Sequence, residues 1–413
     1  MVGTPHPTDY DMPDSALNAI DWQQYCSAWS LADGVTYLNH GSFGPAPDVV
    51  IAARQKWFAE LERQPMDFLA RRLEPLLDEA AAVLAKFVGC GGDDLVFVPN
   101  ATTGINIVAR SVELAAGDEV LLTDHEYGAV ARIWGNACSR VGAKTTLAKL
   151  PLPLTNPADV VEAVFARVNE RTKVIVVSHI ASYTAVVLPI ADICRRANER
   201  GILTCIDGPH GLVQAPLNLR ELGCDFYAAS CHKWLCGPIG SGFLYVRGRH
   251  KSKMRPAVIS WGQSFSGRPS TWKDEFVWVG TDDPSSYLAV AEAVRFIESV
   301  GVQEFRGRTH ALAQAARNQI AAIARSEPFT PDDPAWYGSM VTIPLPHVAR
   351  SSSWPGEPHP LQRALWEEHR IETPVFEWQD RLCLRVSCHL YNTPADIDRL
   401  CAALEELCVR FAV

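Results

Sequence analysis

The stretch Ile202–Val246, ILTCIDGPHGLVQAPLNLRELGCDFYAASCHKWLCGPIGSGFLYV, decides how the rest of the chain is read. Its first residues, ILTCI, form a short, apolar, partly β-branched run, the pattern of a strand buried on both faces of a parallel sheet. Asp207 follows at the carboxyl end of that run, the side on which open α/β sheets keep their ligand crevice. A second apolar run, Phe226 to Ala229, leads into Ser-Cys-His-Lys-Trp, with Lys233 in it and Gly237, Gly240 and Gly242 after it. Two neighbouring strand ends could therefore present one carboxylate and one amine to the same small molecule. Pyridoxal 5'-phosphate uses such a pair: the amine bonds its aldehyde carbon, and the carboxylate faces its pyridine nitrogen.

With 413 residues, 47% hydrophobic and 21% charged, the chain can bury a large core in more than one domain, as a globular enzyme does. A net charge of −9 argues against nucleic acid as a partner, because a phosphate backbone is held by a basic surface. The one basic run, Arg247 to Arg255, reads as a solvated loop. Twelve cysteines occur with no CxxC pair and no clustered Cys/His spacing, so no metal site is expected. They read as reduced thiols of a cytoplasmic protein. The first residues lack the basic and apolar segments of a signal peptide, and no apolar run is long enough for a membrane helix.

The residues around Asp207 and Lys233 resemble class V aminotransferase-like enzymes of fold type I, and within them the isopenicillin N epimerase-like group. That group carries Asp-Gly-Ala-His and His-Lys-Trp at these places. The resemblance runs from about Leu38 to the C-terminus. Here residues 207–210 read Asp-Gly-Pro-His, and Pro209 is expected to stiffen the turn without removing either chemical group. The resemblance implies an α/β fold, in which a large domain with a mostly parallel seven-stranded sheet is flanked by helices and followed by a small C-terminal α+β lobe. The boundaries expected are an N-terminal arm over 1–35 with a short helix around Ser15–Ala28, a large cofactor domain over 36–284, and a linking helix and small domain over 285–413, which N-terminal residues could join.

Taken in order, the loop Asn39-His40-Gly41-Ser42-Phe43-Gly44-Pro45 follows a short strand and can approach a ligand closely. In the resembled family it enters the active site, which makes Asn39 and His40 substrate contacts. Helical spacing from Pro47 to Leu84 predicts two or three helices broken at Pro65 and Pro75. Leu95 to Val98 is a strand ending in Pro-Asn-Ala-Thr-Thr-Gly, which opens a helix. A helix N-terminus offers free N–H groups to a phosphate, so Ala101, Thr102 and Thr103 are candidate phosphate contacts, with N-capping the alternative use of a threonine there. At the end of the next strand either Tyr127 or His125 could stack on the pyridine ring, with Tyr127 preferred. Ser182, Tyr183 and Thr184 follow the strand Val174–His179, and the resemblance gives Ser182 and Thr184 to the cofactor and Tyr183 to the substrate wall. It also brings His210 and His232 to the cofactor, and Gly280-Thr281 to the phosphate of a partner subunit's cofactor, hence a homodimer with shared sites. Arg385 lies in the apolar strand Leu382–Ser387, where a guanidinium needs a partner. A substrate carboxylate fits it bidentately, and the family's carboxylate-binding Arg falls here; an internal ion pair is the structural alternative.

These residues point to a PLP-dependent enzyme acting at Cα or Cβ of an α-amino acid, with Lys233 as acid/base, Asp207 keeping the ring nitrogen protonated and His210 beside them. Epimerisation or racemisation is the outcome the resemblance favours, with C–S β-lysis and transamination as alternatives. Persulfide chemistry is not expected, because Glu372–Arg381 (ETPVFEWQDR) contains no Cys. A non-catalytic binding protein would be expected to have lost Lys233 or Asp207. The Pro/Ser-rich segment 346–359 carries no role that its sequence reveals.

Overall fold

The computed structural model describes residues 21–350 and 357–413. Twelve strands run through them: β1 (Thr36–Tyr37), β2 (Leu95–Val98), β3 (Glu119–Thr123), β4 (Lys144–Ala148), β5 (Thr172–Ser178), β6 (Leu203–Asp207), β7 (Phe226–Ser230), β8 (Gly242–Val246), β9 (Met340–Pro344), β10 (Ile371–Glu372), β11 (Val375–Trp378) and β12 (Arg381–Ser387). Seven of them form one sheet in the order β2-β8-β7-β6-β5-β3-β4. Only β8 runs antiparallel, to both β2 and β7; the remaining pairs are parallel.

Both faces of this sheet are covered, and that explains its near-continuous apolar strands. In β5, Val174 and Val176 pack into a core shared with the helices Ala101–Ser111 and Gly128–Ser139, while Ile175 and Val177 pack into a second core on the other face. Gly104 lets the first of these helices lie close on β7, since a Cβ there would stand 2.9 Å from Ala228 Cβ. Parallel strands all end on one side, so Asp207, Ser178 and Thr123 gather at a common rim.

The C-terminal residues build a smaller antiparallel sheet, β11-β12-β9, backed by the long helix Val302–Ala324 and the helix Pro394–Arg410. β1 pairs with β10 of this lobe, so the chain just before the Asn39–Pro45 loop is held by residues more than three hundred positions later.

Several sequence expectations are corrected. Pro75 does not interrupt the helical run: a π-helical turn, Phe68–Arg72, precedes it, and Pro75 sits in the first α turn of Leu73–Val88 that follows. Thr373-Pro374 separates β10 from β11. The helix expected around Ser15–Ala28 begins outside the described residues, and its described part is a turn and the short 3₁₀ segment Cys26–Ala28. Of the N-terminal arm, residues 1–20 lie outside the described residues, as do 351–356 of the 346–359 segment. Among the described residues no helix is long and apolar enough to cross a membrane.

Candidate active site

Asp207 ends β6, and the chain then turns through Gly208 under the ring of Tyr227, so closely that a Cβ at Gly208 would lie 2.1 Å from ring carbons. That contact brings His210 back over the rim. Lys233 comes from the turn after β7, and its Nζ lies 3.4 Å from His210 Nε2. Trp234 Nε1 donates to His210 Nδ1 at 3.2 Å.

Desolvation dominates the electrostatics. It raises the Asp207 carboxyl to about 7, against a smaller opposing pull from Lys233. It lowers the Lys233 ammonium to about 8, helped by the charge of Arg385 and opposed by Asp207. Among the described residues no side chain donates a hydrogen bond to the Asp207 carboxylate, although it is 7% exposed. A buried carboxylate without a donor and a buried amine held near neutrality suit a ligand that brings both a protonated ring nitrogen and an aldehyde, so these residues fit pyridoxal phosphate.

The raised Asp207 value has a testable sign. Unfolded Asp titrates near pH ~3.9, so between about 4 and 7 the folded chain holds a proton that the unfolded chain has lost, and stability falls as pH rises through that window. In protein stripped of cofactor, Asp207→Asn should stabilise the fold relative to the parent, little at pH 5 and more at pH 8, by at most a few kcal/mol (~1.4 per pKa unit), and the melting temperature should rise accordingly. A difference in melting temperature that stays flat with pH would count against a strained Asp207.

The rim holds an acid that the sequence reading missed. Glu126 is buried, accepts hydrogen bonds from Thr123 Oγ1 at 2.7 Å and Ser178 Oγ at 2.6 Å, and is raised to about 7 by burial, with the Asp207 charge adding to it. Ser178 sits opposite Asp207 in the β5–β6 register, which brings the two acids together. Nothing in DHEY signals this, because the partners lie on other strands.

At the helix start, Asn100 is the N-cap: its side chain accepts from the Thr103 N–H at 2.9 Å and from the Thr103 hydroxyl at 3.2 Å. The Ala101 N–H goes to Ser230 Oγ at 3.0 Å, and the Gly104 N–H to the Asn100 carbonyl at 3.2 Å. Thr102 is exposed at this end. The capping alternative thus accounts for Thr103, and Thr102 is the exposed candidate phosphate contact. His232, partly buried in the Ser230–Lys233 turn, has a buried Nδ1 with no hydrogen-bond partner.

The two candidates for ring stacking separate. His125 is completely buried, bonded through Nδ1 to Thr184 Oγ1 at 2.9 Å and edge-on to Trp378 at 4.8 Å. Tyr127 is 45% exposed and close enough to Arg385 for its phenol to influence the guanidinium. Thr184 therefore serves His125. Tyr183 stands beside Ser182, its ring 5.7 Å from Phe376.

Arg385 is buried in β12. Its guanidinium donates to the Ser182 carbonyl at 2.7 Å, to Ser182 Oγ at 3.2 Å and to Ser42 Oγ at 2.7 Å. Among the described residues Nε has no partner, and burial lowers the group to about 10. Among the described residues it meets no carboxylate, so an internal ion pair is not what holds it.

His40 departs from its expected role. It is fully buried, its Nε2 meets the Lys233 carbonyl at 2.9 Å, its Nδ1 meets the Tyr391 hydroxyl at 2.9 Å, and its ring stacks on His389 at 3.8 Å. It braces the lysine turn from below instead of facing a substrate. The fold also brings His40, Cys236 and His389 within 4.8 Å of one another, a grouping hidden in the sequence by their separation. Asn39 is buried too, and bonds Glu372 at 3.3 Å. Gly280 and Thr281 are exposed, and a Cβ at Gly280 would meet nothing within 4 Å.

Comparison with known proteins places these features in context. The family model for class-V aminotransferases matches residues 36–400. The chain is 38% identical to an isopenicillin N epimerase of Amycolatopsis lactamdurans over 94% of its own length and 99% of the relative's. It is 35% identical to the Streptomyces clavuligerus protein of the same name, over 95% and 99%. A putative L-cysteine desulfhydrase of Oryza sativa subsp. japonica is 28% identical over 91% of this chain and 83% of its own. Among solved structures, a cysteine desulfurase from Escherichia coli superposes with a TM-score of 0.77 at 22% identity, covering 95% of this chain and all of its own.

Proposed function

We propose, on the premise that this chain belongs to the class-V aminotransferase family of PLP enzymes, that it is an epimerase or racemase acting at the Cα of an α-amino acid. The observation that carries the amino-acid substrate is the buried Arg385 guanidinium, which among the described residues has serine oxygens but no carboxylate around it and whose charge reaches Lys233; the likeness to the epimerases supports the choice of reaction. A bidentate carboxylate is the partner such a group lacks.

Pyridoxal phosphate, when bound, supplies an electron sink that acidifies the substrate's Cα–H. In this reading Lys233 holds the cofactor through its amine, Asp207 keeps the ring nitrogen protonated, Thr102 and His232 contact the phosphate, and Tyr127 covers the ring. Arg385 fixes the α-carboxylate, with Ser42 and Ser182 keeping the guanidinium in place and Tyr183 walling the side chain. The Lys233 amine, its ammonium lowered to about 8, takes the proton from Cα, and inversion is complete when a proton is delivered to the opposite face of that carbon. His40 and Asn39 act as supports.

C–S β-lysis is the second reading, favoured by the desulfhydrase relative. The interval 372–381 contains no Cys, and its turn residues Gln379 and Asp380, with φ of 46° and 61°, join β11 to β12, so it offers no sulfur nucleophile for persulfide chemistry, which β-lysis does not require. Incubation with D- and L-amino acids, cysteine and cystine separates the readings. Change of optical rotation without pyruvate or sulfide supports the first. Pyruvate with sulfide moves the assignment to the second, and keto acid consumption would make the enzyme an aminotransferase.

The site is completed by a second copy of the chain, through Thr281. Support comes from the exposure of Gly280-Thr281 and of the adjoining apolar side chain Val279. Mixing Lys233→Ala chains with Thr281→Ala chains should then restore up to about a quarter of the parent activity, because half of a random mixture is heterodimer with one intact site. A mixture no better than its parents excludes sharing. All twelve cysteines are free, which suits a cytoplasmic location.

A further inference from the structure

An indole nitrogen carries a hydrogen and no available lone pair, so Trp234 Nε1 can only donate, and His210 Nδ1 at 3.2 Å must accept. Burial, with Lys233, Arg385 and His40 nearby, disfavours a charged His210 ring. A neutral imidazole has one hydrogen, and with Nδ1 accepting, that hydrogen sits on Nε2, the nitrogen that faces Lys233 Nζ at 3.4 Å. An ammonium there would set donor against donor, whereas a neutral amine offers a lone pair.

We propose that Trp234 is a positioning residue that locks His210 as the Nε2–H tautomer and thereby holds Lys233 as the neutral amine that captures the cofactor. In that capture the amine nitrogen bonds to the aldehyde carbon, and its two hydrogens leave with the aldehyde oxygen as water. The inference rests on the assignment of Lys233 above. The other groups facing the pair are Asp207 at the end of β6, Glu126 behind it, Arg385 from β12 and the neutral His40 below. Asp207 favours the ammonium and Arg385 opposes it, with desolvation the larger influence, and the His210 hydrogen adds its weight on the side of the neutral amine. The same geometry removes His210 from the possible proton acceptors at Cα, because its only free lone pair is held by Trp234.

The test is the rate at which cofactor-free protein takes up pyridoxal phosphate, followed by visible absorbance as a function of pH. Trp234→Phe keeps the ring's bulk and frees His210 to move its hydrogen to Nδ1 and accept from a Lys233 ammonium. A hydrogen bond to a charged group, worth ~1.5 kcal/mol, then makes uptake at neutral pH about tenfold slower and moves the profile about one unit up. In a His210→Gln background, where no tautomer exists to be locked, the same Trp234 substitution should shift nothing. Superimposable profiles for parent and Trp234→Phe in folded protein overturn the inference, as does an equal shift in the His210→Gln background. Nitrogen NMR of the unmodified protein reads the tautomer without any variant, and a hydrogen on His210 Nδ1 would equally refute it. Capture that survives Lys233→Ala overturns the site assignment and this inference with it; the other adverse results leave that assignment standing.

Discussion

Lys233→Ala should yield a folded protein that binds pyridoxal phosphate weakly, lacks the visible absorbance of the covalently held cofactor and turns over at least about a hundredfold more slowly. The lower bound follows from losing acid/base catalysis alone, typically worth ~10²–10⁴; loss of covalent attachment adds to it. Folding should survive, because the amine makes one long contact, to His210, while the turn itself is held through backbone: the Lys233 carbonyl by His40 Nε2 and the Cys236 N–H, both at 2.9 Å. Borohydride reduction of the parent followed by peptide mapping should find the cofactor on Lys233. Label on another lysine would remove the centre of the site.

Arg385→Lys is the second large effect, and it decides whether the substrate is an α-amino acid. The guanidinium is held by Ser182 and Ser42 with Nε unpaired, so its charge has no internal counter-ion among the described residues. A charge-assisted hydrogen bond contributes roughly 1.5–3 kcal/mol, about a 10- to 150-fold change in affinity. Lysine keeps the charge and loses the planar fork that meets both carboxylate oxygens. Binding of amino acids, read from the cofactor spectrum, should weaken by that factor while the spectrum without substrate stays as it was. An amine lacking the carboxylate should lose much less. Equal losses for amine and amino acid would make Arg385 a structural residue and withdraw the substrate class.

The sequence made the sheet and its chemistry legible where local pattern carries them. The run ending in Asp207, the run before Lys233 and the lone Arg in an apolar strand each announce a buried strand with a polar group at a defined place, and β6, β7 and β12 have that form. What stayed hidden depends on partners far along the chain. His40 in a Gly/Pro loop looks like a surface contact until Tyr391 and the Lys233 carbonyl occupy its two nitrogens. Glu126 between a His and a Tyr gives no sign of burial, since Thr123 and Ser178 satisfy it only once β3 and β5 lie side by side in the sheet. Trp234 reads as core packing, and its indole hydrogen acquires meaning only through the ring of His210. Thr102 and Thr103 are equivalent in sequence, and the choice of Asn100 as cap distinguishes them. Pro75 misleads because helix breaking depends on position within the helix.

The brace beneath Lys233 also sets an order of events during synthesis. Its lower members, His389 and Tyr391, leave the ribosome long after Val246, and so does Arg385. A nascent chain that has emerged through Val246 possesses every strand of the seven-stranded sheet. Yet His40 then has neither the Tyr391 hydroxyl nor the His389 ring against it, and the lysine turn lacks its floor. The growing polypeptide therefore holds every strand of its scaffold before the floor of the lysine turn exists, and the reactive amine is seated only once the small lobe's residues have followed.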